Sequence, residues 1–258
     1  MNEPLVLMEH AGPAISVLTV NRPDKRNALS IALVDAICEA IGRVESDDAR
    51  RVLIVRAAGP VFCAGLDLSE ALDPTKEERT AEQVERLFRT VSQCRLVTIC
   101  GVQGAVAAGG AGFMAACDLV VAAEGTKIGY PELLRGLVPA LLMTFIVRQL
   151  HDRHARELLL LGDYIDARRA YEMGLVNRVV PAADLLDACM AMARQALLGG
   201  PKALSMTKQL LERMALRNSA ADLKEALEHH KVARRSDEAR EGLHAFVEKR
   251  KPNWQEQA

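Results

Sequence analysis

The chain has 258 residues and carries 33 basic against 34 acidic side chains, so its net charge is −1. This balance provides no basic surface for a polyanion, and aromatic residues, at 3% of the chain, are too few to stack nucleic-acid bases. No stretch reaches the roughly 18–20 apolar residues of a membrane span, so we predict neither a nucleic-acid partner nor membrane association.

The first half of the chain alternates strand and helix patterns. An apolar, β-branched run at 14–20 predicts a strand; Pro23 and Asn27 then mark a loop, and Ser30 is a suitable N-cap for a helix. That helix repeats apolar residues at helical spacing: Leu33, Val34, Ile37, Ile41 and Val44. Further strands are predicted at 51–56, 95–102 and 118–123, with helices at 73–89 and 109–116. The alternation predicts a largely parallel sheet with right-handed crossovers.

From about residue 140 the pattern becomes mostly helical. One short strand is predicted at 176–180. Helices are predicted at 140–150, 153–161, 166–173, 183–198, 202–216, 219–234 and 237–249. The clearest break is Gly199-Gly200-Pro201, so we divide the chain into a core unit, 1–195, and a helical C-terminal region, 196–258. The apolar faces of this tail must be buried on the chain itself or on another subunit, and the sequence favours the second.

The six cysteines form no CxxC pair and accompany no set of histidines, so no metal site is predicted. We also predict no disulfides and expect buried, reduced thiols. The N-terminal segment MNEPLVLMEH contains early acidic residues and no long apolar run, unlike a signal or transit peptide. We therefore expect a cytoplasmic protein.

Three segments contain the candidate functional residues: FCAGLDL (62–68), GAVAAGGAGFMAACDL (104–119) and IGYPELLRGLVPA (128–140). Each alone also fits a structural role, as a strand exit, a site of close packing or a solvated turn. Together they indicate more, because Ala64 and Gly65 follow one strand while Gly109 and Gly110 follow another and open a helix. Backbone N–H groups that meet at such positions can hold a carbonyl oxygen as it gains negative charge. The glycine spacing is not that of a dinucleotide-binding motif.

These segments, with NRPDKRNAL (21–29) and EGLHAFVEKRKP (241–252), occur in the order found in the enoyl-CoA hydratase/isomerase, or crotonase, superfamily. The sequence resembles this family over nearly its whole length. The resemblance implies an α/β fold, a crotonase-like spiral of βαβ units, with a helical C-terminal trimerisation region. It implies self-association to a homotrimer or hexamer. The implied partner is an acyl-CoA thioester, with coenzyme A as part of the substrate and no separate cofactor.

The resemblance also implies functional residues. The N–H groups of Ala64 and Gly109 match an oxyanion hole, and Glu132 matches an acid/base. The expected CoA-binding residues are Lys25, Arg26, Ala64, Gly65, Leu66, Asp67, Gly109 and Lys249. Lys25 and Arg26 would approach the nucleotide, and Lys249 would reach the CoA phosphates from a neighbouring subunit. For these three basic residues, a solvated surface charge is an equal alternative.

One position departs from the hydratase pattern. Hydratases of this family use two glutamates; their positions here hold Gly112 and Glu132, so one carboxylate is missing. Hydration needs a water held and activated beside two carboxylates, whereas one carboxylate suits a proton shuttle. Glu132 would remove a proton from carbon two of a 3-enoyl thioester and return it at carbon four. A carboxylate in an apolar pocket should have a raised pKa, which suits both steps.

A 3-enoyl-CoA isomerase is therefore the leading hypothesis, supported by the Ala-Gly-Gly run at 108–110, which the single-glutamate isomerases of the family share. One alternative is an enoyl-CoA hydratase with a modified water site, to which Asp73, Glu77 or Glu82 would contribute. Another is a thioester hydrolase, decarboxylase or carbon–carbon lyase. The last is a non-catalytic acyl-CoA binder, against which the retained site residues argue.

The acyl pocket and the histidines complete the prediction. The large apolar candidates for the pocket are residues more often found in a core than in a pocket wall. The candidate pocket residues are Leu87, Gly112, Phe113, Tyr130, Leu137, Leu141 and Met143. Tyr130 would bind a phenol if the protein were a lyase. The histidines match no catalytic position, and His229 and His230 are expected at the surface or an interface. No nucleophile elbow supports a Ser-His-Asp triad.

Overall fold

A computed structural model describes residues 3–214 and 219–253 of the chain. The strands of this part are β1 (Val6–His10), β2 (Ile15–Val20), β3 (Val52–Ala57), β4 (Val97–Val102), β5 (Ala105–Ala107), β6 (Leu119–Ala123), β7 (Lys127–Gly129), β8 (Tyr164–Asp166) and β9 (Arg178–Val180). The helices are α1 (Ile31–Glu45), α2 (Leu68–Ala71), α3 (Glu77–Gln93), α4 (Gly109–Ala115), α5 (Ala140–Gln149), α6 (Asp152–Leu161), α7 (Ala167–Met173), α8 (Leu185–Ala196), α9 (Pro201–Met214), α10 (Ser219–Arg234) and α11 (Asp237–Val247).

The strands form two sheets. The larger has the order β1-β2-β3-β4-β6-β9, and every neighbouring pair is parallel except β1 and β2. The smaller has the order β5-β7-β8, with β5 parallel to β7 and β8 antiparallel to it. Helices connect the parallel strands, as the alternating pattern requires. The predicted α/β class with a largely parallel sheet is confirmed.

The central strands are apolar almost throughout because both faces of the larger sheet are covered. Side chains of β2, β3 and β4 on one face join the main core with α1 and α3. Those on the other face pack with α8 in a second core cluster. The six cysteines are all buried, as predicted.

The short strands β1, β5, β7 and β8 were not predicted from the sequence. Three of them have only three residues, which is too short for an alternating pattern to appear. The helix predicted at 73–89 begins later, at Glu77, because the Asp73 carboxylate accepts hydrogen bonds from the backbone and hydroxyl of Thr75. This local turn competes with helix formation.

The tail helices pack on their own chain. Helix α10 lies against α3 and α5, and its Leu223 and Ala226 belong to the main core. Helix α11 packs over the 3₁₀ turn Leu133–Arg135, where the Arg135 guanidinium lies 4.1 Å from the centre of the Phe246 ring. The preference for burial on another subunit was therefore wrong for these faces. Among the described residues, no helix has the length and apolar character to cross a membrane.

Candidate active site

A cavity of about 440 Å³ brings most of the predicted functional segments together. Its wall includes the loop after β2, the turn after β3, the start of α4 and the turn that carries Glu132. Helices α10 and α11 complete it. The residues of the separated sequence motifs therefore meet in one place, as expected for the carboxyl ends of neighbouring parallel strands.

Glu132 is a buried carboxylate without a full set of partners. It lies directly before the 3₁₀ turn Leu133–Arg135, is 7% exposed, and its Oε2 atom has no hydrogen-bond partner. Burial raises the pKa of Glu132 to about 7, although its own backbone N–H and the charge of Arg135 act in the opposite direction. At neutral pH this group can therefore both accept and donate a proton.

The turn after β3 provides free backbone N–H groups, but not at the predicted residue. Ala64 donates its N–H to the Arg26 carbonyl at 3.1 Å, so the assignment of Ala64 as an oxyanion donor needs correction. A parallel bridge to Leu29 engages the Gly65 carbonyl and the Asp67 N–H. Among the described contacts, the N–H groups of Gly65 and Leu66 are both without a backbone acceptor, and the Leu66 N–H is the one that lies between the two bonds of the bridge. Leu66 lines the cavity.

The start of α4 provides the second N–H group. Gly109 is the first residue of α4, and the preceding Ala108 adopts φ 50° and ψ −125°, which is unusual for a residue with a side chain. The Ala108 N–H is bonded to the Gly129 carbonyl, whereas the Gly109 N–H faces no capping side chain. A Cβ atom on Gly65, which has φ +96°, would lie 3.7 Å from the Gly109 nitrogen. The two glycine segments are thus in direct proximity.

Phe88 fills the space beside Gly112, where the family pattern has its other glutamate. A Cβ atom on Gly112 would lie 2.3 Å from Phe88 Cζ and 3.0 Å from Leu142 Cβ. Phe88 and Leu142 both line the cavity. No side chain fits at Gly112 without movement of the Phe88 ring. The sequence did not indicate Phe88 or Leu142 as site residues.

The other carboxylates of the cavity wall are not available as a second acid/base. Asp24 is exposed at its mouth. Asp67 caps α2 through Ser69 and forms an ion pair with Arg22. Burial alone would raise the pKa of Asp67, but the hydrogen bonds from Ser69 and Arg22 lower it overall. Asp67 is therefore a charged structural anchor of this turn.

Only some of the predicted acyl-pocket residues line the cavity. Leu137 and Leu141 do. Leu87, Phe113 and Tyr130 instead lie fully buried in the core, and Met143 lines a separate groove beside α10. Leu87 does not line the cavity because its neighbour Phe88 points into it, and successive side chains on a helix diverge by about 100°. Tyr130 has an unpartnered hydroxyl, and burial followed by the charge of Glu132 raises its pKa.

The predicted basic residues separate into two groups. Lys25 and Arg26 are exposed at the cavity wall, next to the 3₁₀ turn Pro23–Lys25. Lys249 is exposed beyond the end of α11 and does not line this cavity. Its predicted contact with CoA phosphates from a neighbouring subunit stays a prediction. Within the described ranges, no group of three or more metal-ligating side chains converges.

Helix α10 brings two polar side chains to the cavity that the sequence did not indicate. His229 is exposed, as expected, but His230 lines the cavity, which corrects its predicted surface position. Arg234, one helical turn later, also lines it and is only 4% exposed. Burial, and then the charge of Arg234, lowers the pKa of His230 to about 4, so its ring is neutral at pH 7.

Comparison with known proteins identifies relatives over the full length. The enoyl-CoA hydratase/isomerase family matches residues 10–257. Enoyl-CoA hydratase EchA19 of Mycobacterium tuberculosis is 33% identical over 98% of this chain and 97% of its own. The 1,2-epoxyphenylacetyl-CoA isomerase of Escherichia coli is 30% identical over 96% and 97%. A crystal structure of an enoyl-CoA hydratase from Mycobacterium avium, 34% identical, has a TM-score of 0.88 and covers 98% of this chain and 100% of that one.

Proposed function

The chain belongs to the enoyl-CoA hydratase/isomerase family and is an enzyme of this kind, and we propose that it converts a 3-enoyl-CoA into the 2-enoyl-CoA. One observation favours isomerisation over the addition of water. Glu132 is the buried, unpartnered carboxylate of the cavity wall, and Phe88 fills the space where a second carboxylate would stand. A site with one such group suits proton transfer better than water addition.

The proposed reaction moves one proton and no other atom. The Glu132 carboxylate takes a proton from carbon two of the acyl chain, and the electrons of the broken C–H bond form a dienolate. The same carboxyl group returns the proton at carbon four, and the double bond is then conjugated with the thioester. A pKa of about 7 leaves comparable amounts of both protonation states at neutral pH, which suits a group that acts first as base and then as acid.

The thioester oxygen gains negative charge in the dienolate and needs hydrogen-bond donors. We assign this role to the N–H groups of Leu66 and Gly109, in place of Ala64 and Gly109, because the Ala64 N–H is already engaged. The first turn of α4 adds the partial positive charge of unpaired N–H groups. Two such donors in a dry site stabilise a developing oxyanion by several kcal/mol.

The coenzyme A portion would enter along the loop that carries Lys25 and Arg26. Their side chains stand at the exposed part of the cavity wall, where phosphate groups can be bound without burying charge. Ala64, Gly65 and Asp67 would shape the passage to the reacting carbons, and Lys249 of a second subunit remains a candidate for the phosphates. Leu137 and Leu141 would contact the acyl chain together with Phe88 and Leu142.

Hydration is the second candidate, because relatives such as the Mycobacterium tuberculosis protein are named hydratases. Incubation with a 3-enoyl-CoA and, separately, a 2-enoyl-CoA distinguishes the two by mass spectrometry. We expect the 3-enoyl thioester to change retention time at constant mass. A product of the 2-enoyl thioester that is heavier by one water would establish hydration, and binding without turnover of either would indicate a non-catalytic protein.

We also propose that the chain self-associates as a homotrimer or a hexamer. Large apolar side chains are exposed at the end of α6 and the start of β8: Leu160, Leu161 and Tyr164. Exposed apolar groups that lie close together are typical of protein interfaces. Light scattering coupled to size exclusion should give a mass of three or six chains, and a monomer would contradict this proposal.

A further inference from the structure

Helix α10 places two incompletely bonded polar side chains in the wall of the cavity. His230 and Arg234 are separated by one helical turn and so share a face of α10. The Nε2 atom of His230 and the Nε atom of Arg234 are both buried without a hydrogen-bond partner. Buried polar atoms are nearly always bonded in folded proteins, so unpaired atoms at a cavity wall indicate a polar ligand.

Arg234 is a buried cation without a close anion. Its guanidinium donates to the Ala71 carbonyl through Nη2 and to the Thr80 hydroxyl through Nη1, and both acceptors are neutral. No carboxylate of the described residues forms an ion pair with it within 4.0 Å. Glu77 is near enough to favour its charge and forms an ion pair with Arg235 at 3.7 Å, but its Oε1 atom is also buried without a hydrogen-bond partner and makes no hydrogen bond to Arg234. A buried charge of this kind is normally compensated by an opposite charge.

The surroundings of Arg234 are distinct from those of Glu132. Arg135 is the cation that lowers the pKa of Glu132, whereas the charge of Arg234 acts on His230. Arg234 is bonded to α2 and to the first turn of α3, and the apolar side chains of Val84 and Phe88 on α3 continue the cavity wall. An anion at Arg234 would therefore lie beside the apolar part of the wall that α3 forms, a position that suits a group carried by the acyl chain.

We propose that the acyl group of the substrate carries a carboxylate, which binds to Arg234. This inference rests on the proposed acyl-CoA function and narrows the substrate class to CoA thioesters of dicarboxylic acids. The Nε–H and the remaining Nη2–H of a guanidinium lie side by side and match the two oxygens of a carboxylate. The His230 ring already bonds the backbone of Val138, and its free Nε2 accepts from a water or a hydroxyl group beside the carboxylate.

Matched pairs of saturated CoA thioesters test this proposal without turnover. Succinyl-CoA is compared with butanoyl-CoA, glutaryl-CoA with pentanoyl-CoA, and adipoyl-CoA with hexanoyl-CoA, by isothermal titration calorimetry. For at least one pair we expect the acidic member to bind about tenfold more tightly or better. Arg234→Gln should abolish this preference and leave the affinity of the neutral member unchanged. Arg235→Gln, which alters an exposed neighbour outside the cavity wall, should retain the preference.

The contrary results are equally definite. Equal affinities within every pair, or tighter binding of the neutral members, would overturn the proposal for the unmodified protein. If a folded Arg234→Gln variant lost affinity for the acidic and the neutral thioester to the same extent, Arg234 would have only a structural role. If that variant does not fold, Arg234→Lys retains the charge and should keep a reduced preference. Failure of the proposed isomerisation is distinguishable, because it would appear as no double-bond shift in the 3-enoyl-CoA assay, whereas the preference for acidic thioesters is measured by binding alone.

Discussion

Glu132 combines burial with an unpaired oxygen, and its ionisation should control the rate. The carboxyl group must be deprotonated to take a proton from carbon two. Because burial raises the pKa of Glu132 to about 7, kcat/KM should be low in acid, rise through about pH 7 and then level off. Stopped assays between pH 5 and pH 9 measure this profile. A plateau that already begins near the ordinary carboxyl pKa of 4.5 would show that the pKa of Glu132 is not raised by burial.

The same pKa shift has a consequence for stability. Between pH 4.5 and about 7, the folded state keeps the proton on Glu132, whereas the unfolded state has lost it. The protonated group therefore stabilises the fold at low pH, and this contribution is lost as the pH rises through about 7. Glu132→Gln removes the ionisation, and at pH 8 it should unfold with a free energy higher by up to roughly 3 kcal/mol. At pH 4 the difference should vanish. Urea denaturation at both pH values tests this, and a less stable variant at pH 8 would contradict it.

Gly112 should not accept a second carboxylate while Phe88 is present. A Cβ atom there would lie 2.3 Å from Phe88 Cζ, so Gly112→Glu should destabilise the fold by about 1–3 kcal/mol or more and add no hydration activity. Gly42→Glu is the matched control, because a Cβ atom on Gly42 in α1 has no neighbour within 4 Å. The double change Gly112→Glu with Phe88→Ala should be less destabilising than the sum of the two single changes, because removal of the ring relieves the clash. Equal melting temperatures of Gly112→Glu and Gly42→Glu would contradict the steric argument.

At the residue scale, the sequence indicated several residues that line the cavity but not every role that we propose for them. Glu132 and Gly109 were recognised because they belong to local motifs. The sequence could not show that the proposed oxyanion donor is the N–H of Leu66 and not that of Ala64, because the bridge between Leu29 and the turn after β3 decides which N–H groups are free. The ring of Phe88, on α3, fills the space at Gly112. The sequence alone does not show which face of α3 packs against Gly112.

The turn after β3 is the element on whose shape the proposed oxyanion hole most depends. Gly65 has φ +96° and lies close to the Gly109 nitrogen, so Gly65→Ala should cost roughly 1–3 kcal/mol of stability and lower kcat by about 10²–10³-fold. Gly174→Ala is a matched control, since Gly174 has φ +89° and its Cβ atom would meet nothing within 4 Å. It should lose stability alone. An unchanged kcat in Gly65→Ala would exclude this turn from the oxyanion hole.

At the scale of elements, long periodic segments were predictable and short ones were not. Helix α1 and the central strands follow directly from their apolar patterns, because each is long enough to show its period. The smaller sheet consists of three-residue strands whose pairing depends on neighbours distant in sequence. It nevertheless positions the site, since β5 directly precedes Ala108 and β7 directly precedes the turn with Glu132.

At the scale of the whole molecule, the tail helices close the cavity that the α/β core opens. The pattern of the tail showed apolar faces but not the surface they cover, so His230 and Arg234 were not recognised as cavity residues. Their position follows from the packing of α10 on α3 and α5. The cavity thus combines Glu132 and Gly109 of the core with the polar side chains His230 and Arg234 of the tail.

The proposed transfer of one proton from carbon two to carbon four by Glu132 can be followed with an isotope label. A 3-enoyl-CoA with deuterium in place of both hydrogens on carbon two is converted in ordinary water, and the product is analysed by mass spectrometry and NMR. We predict a 2-enoyl-CoA in which part of the abstracted deuterium appears at carbon four, and no conversion by Glu132→Gln. A product that has gained water, or undiminished conversion by Glu132→Gln, would contradict the account.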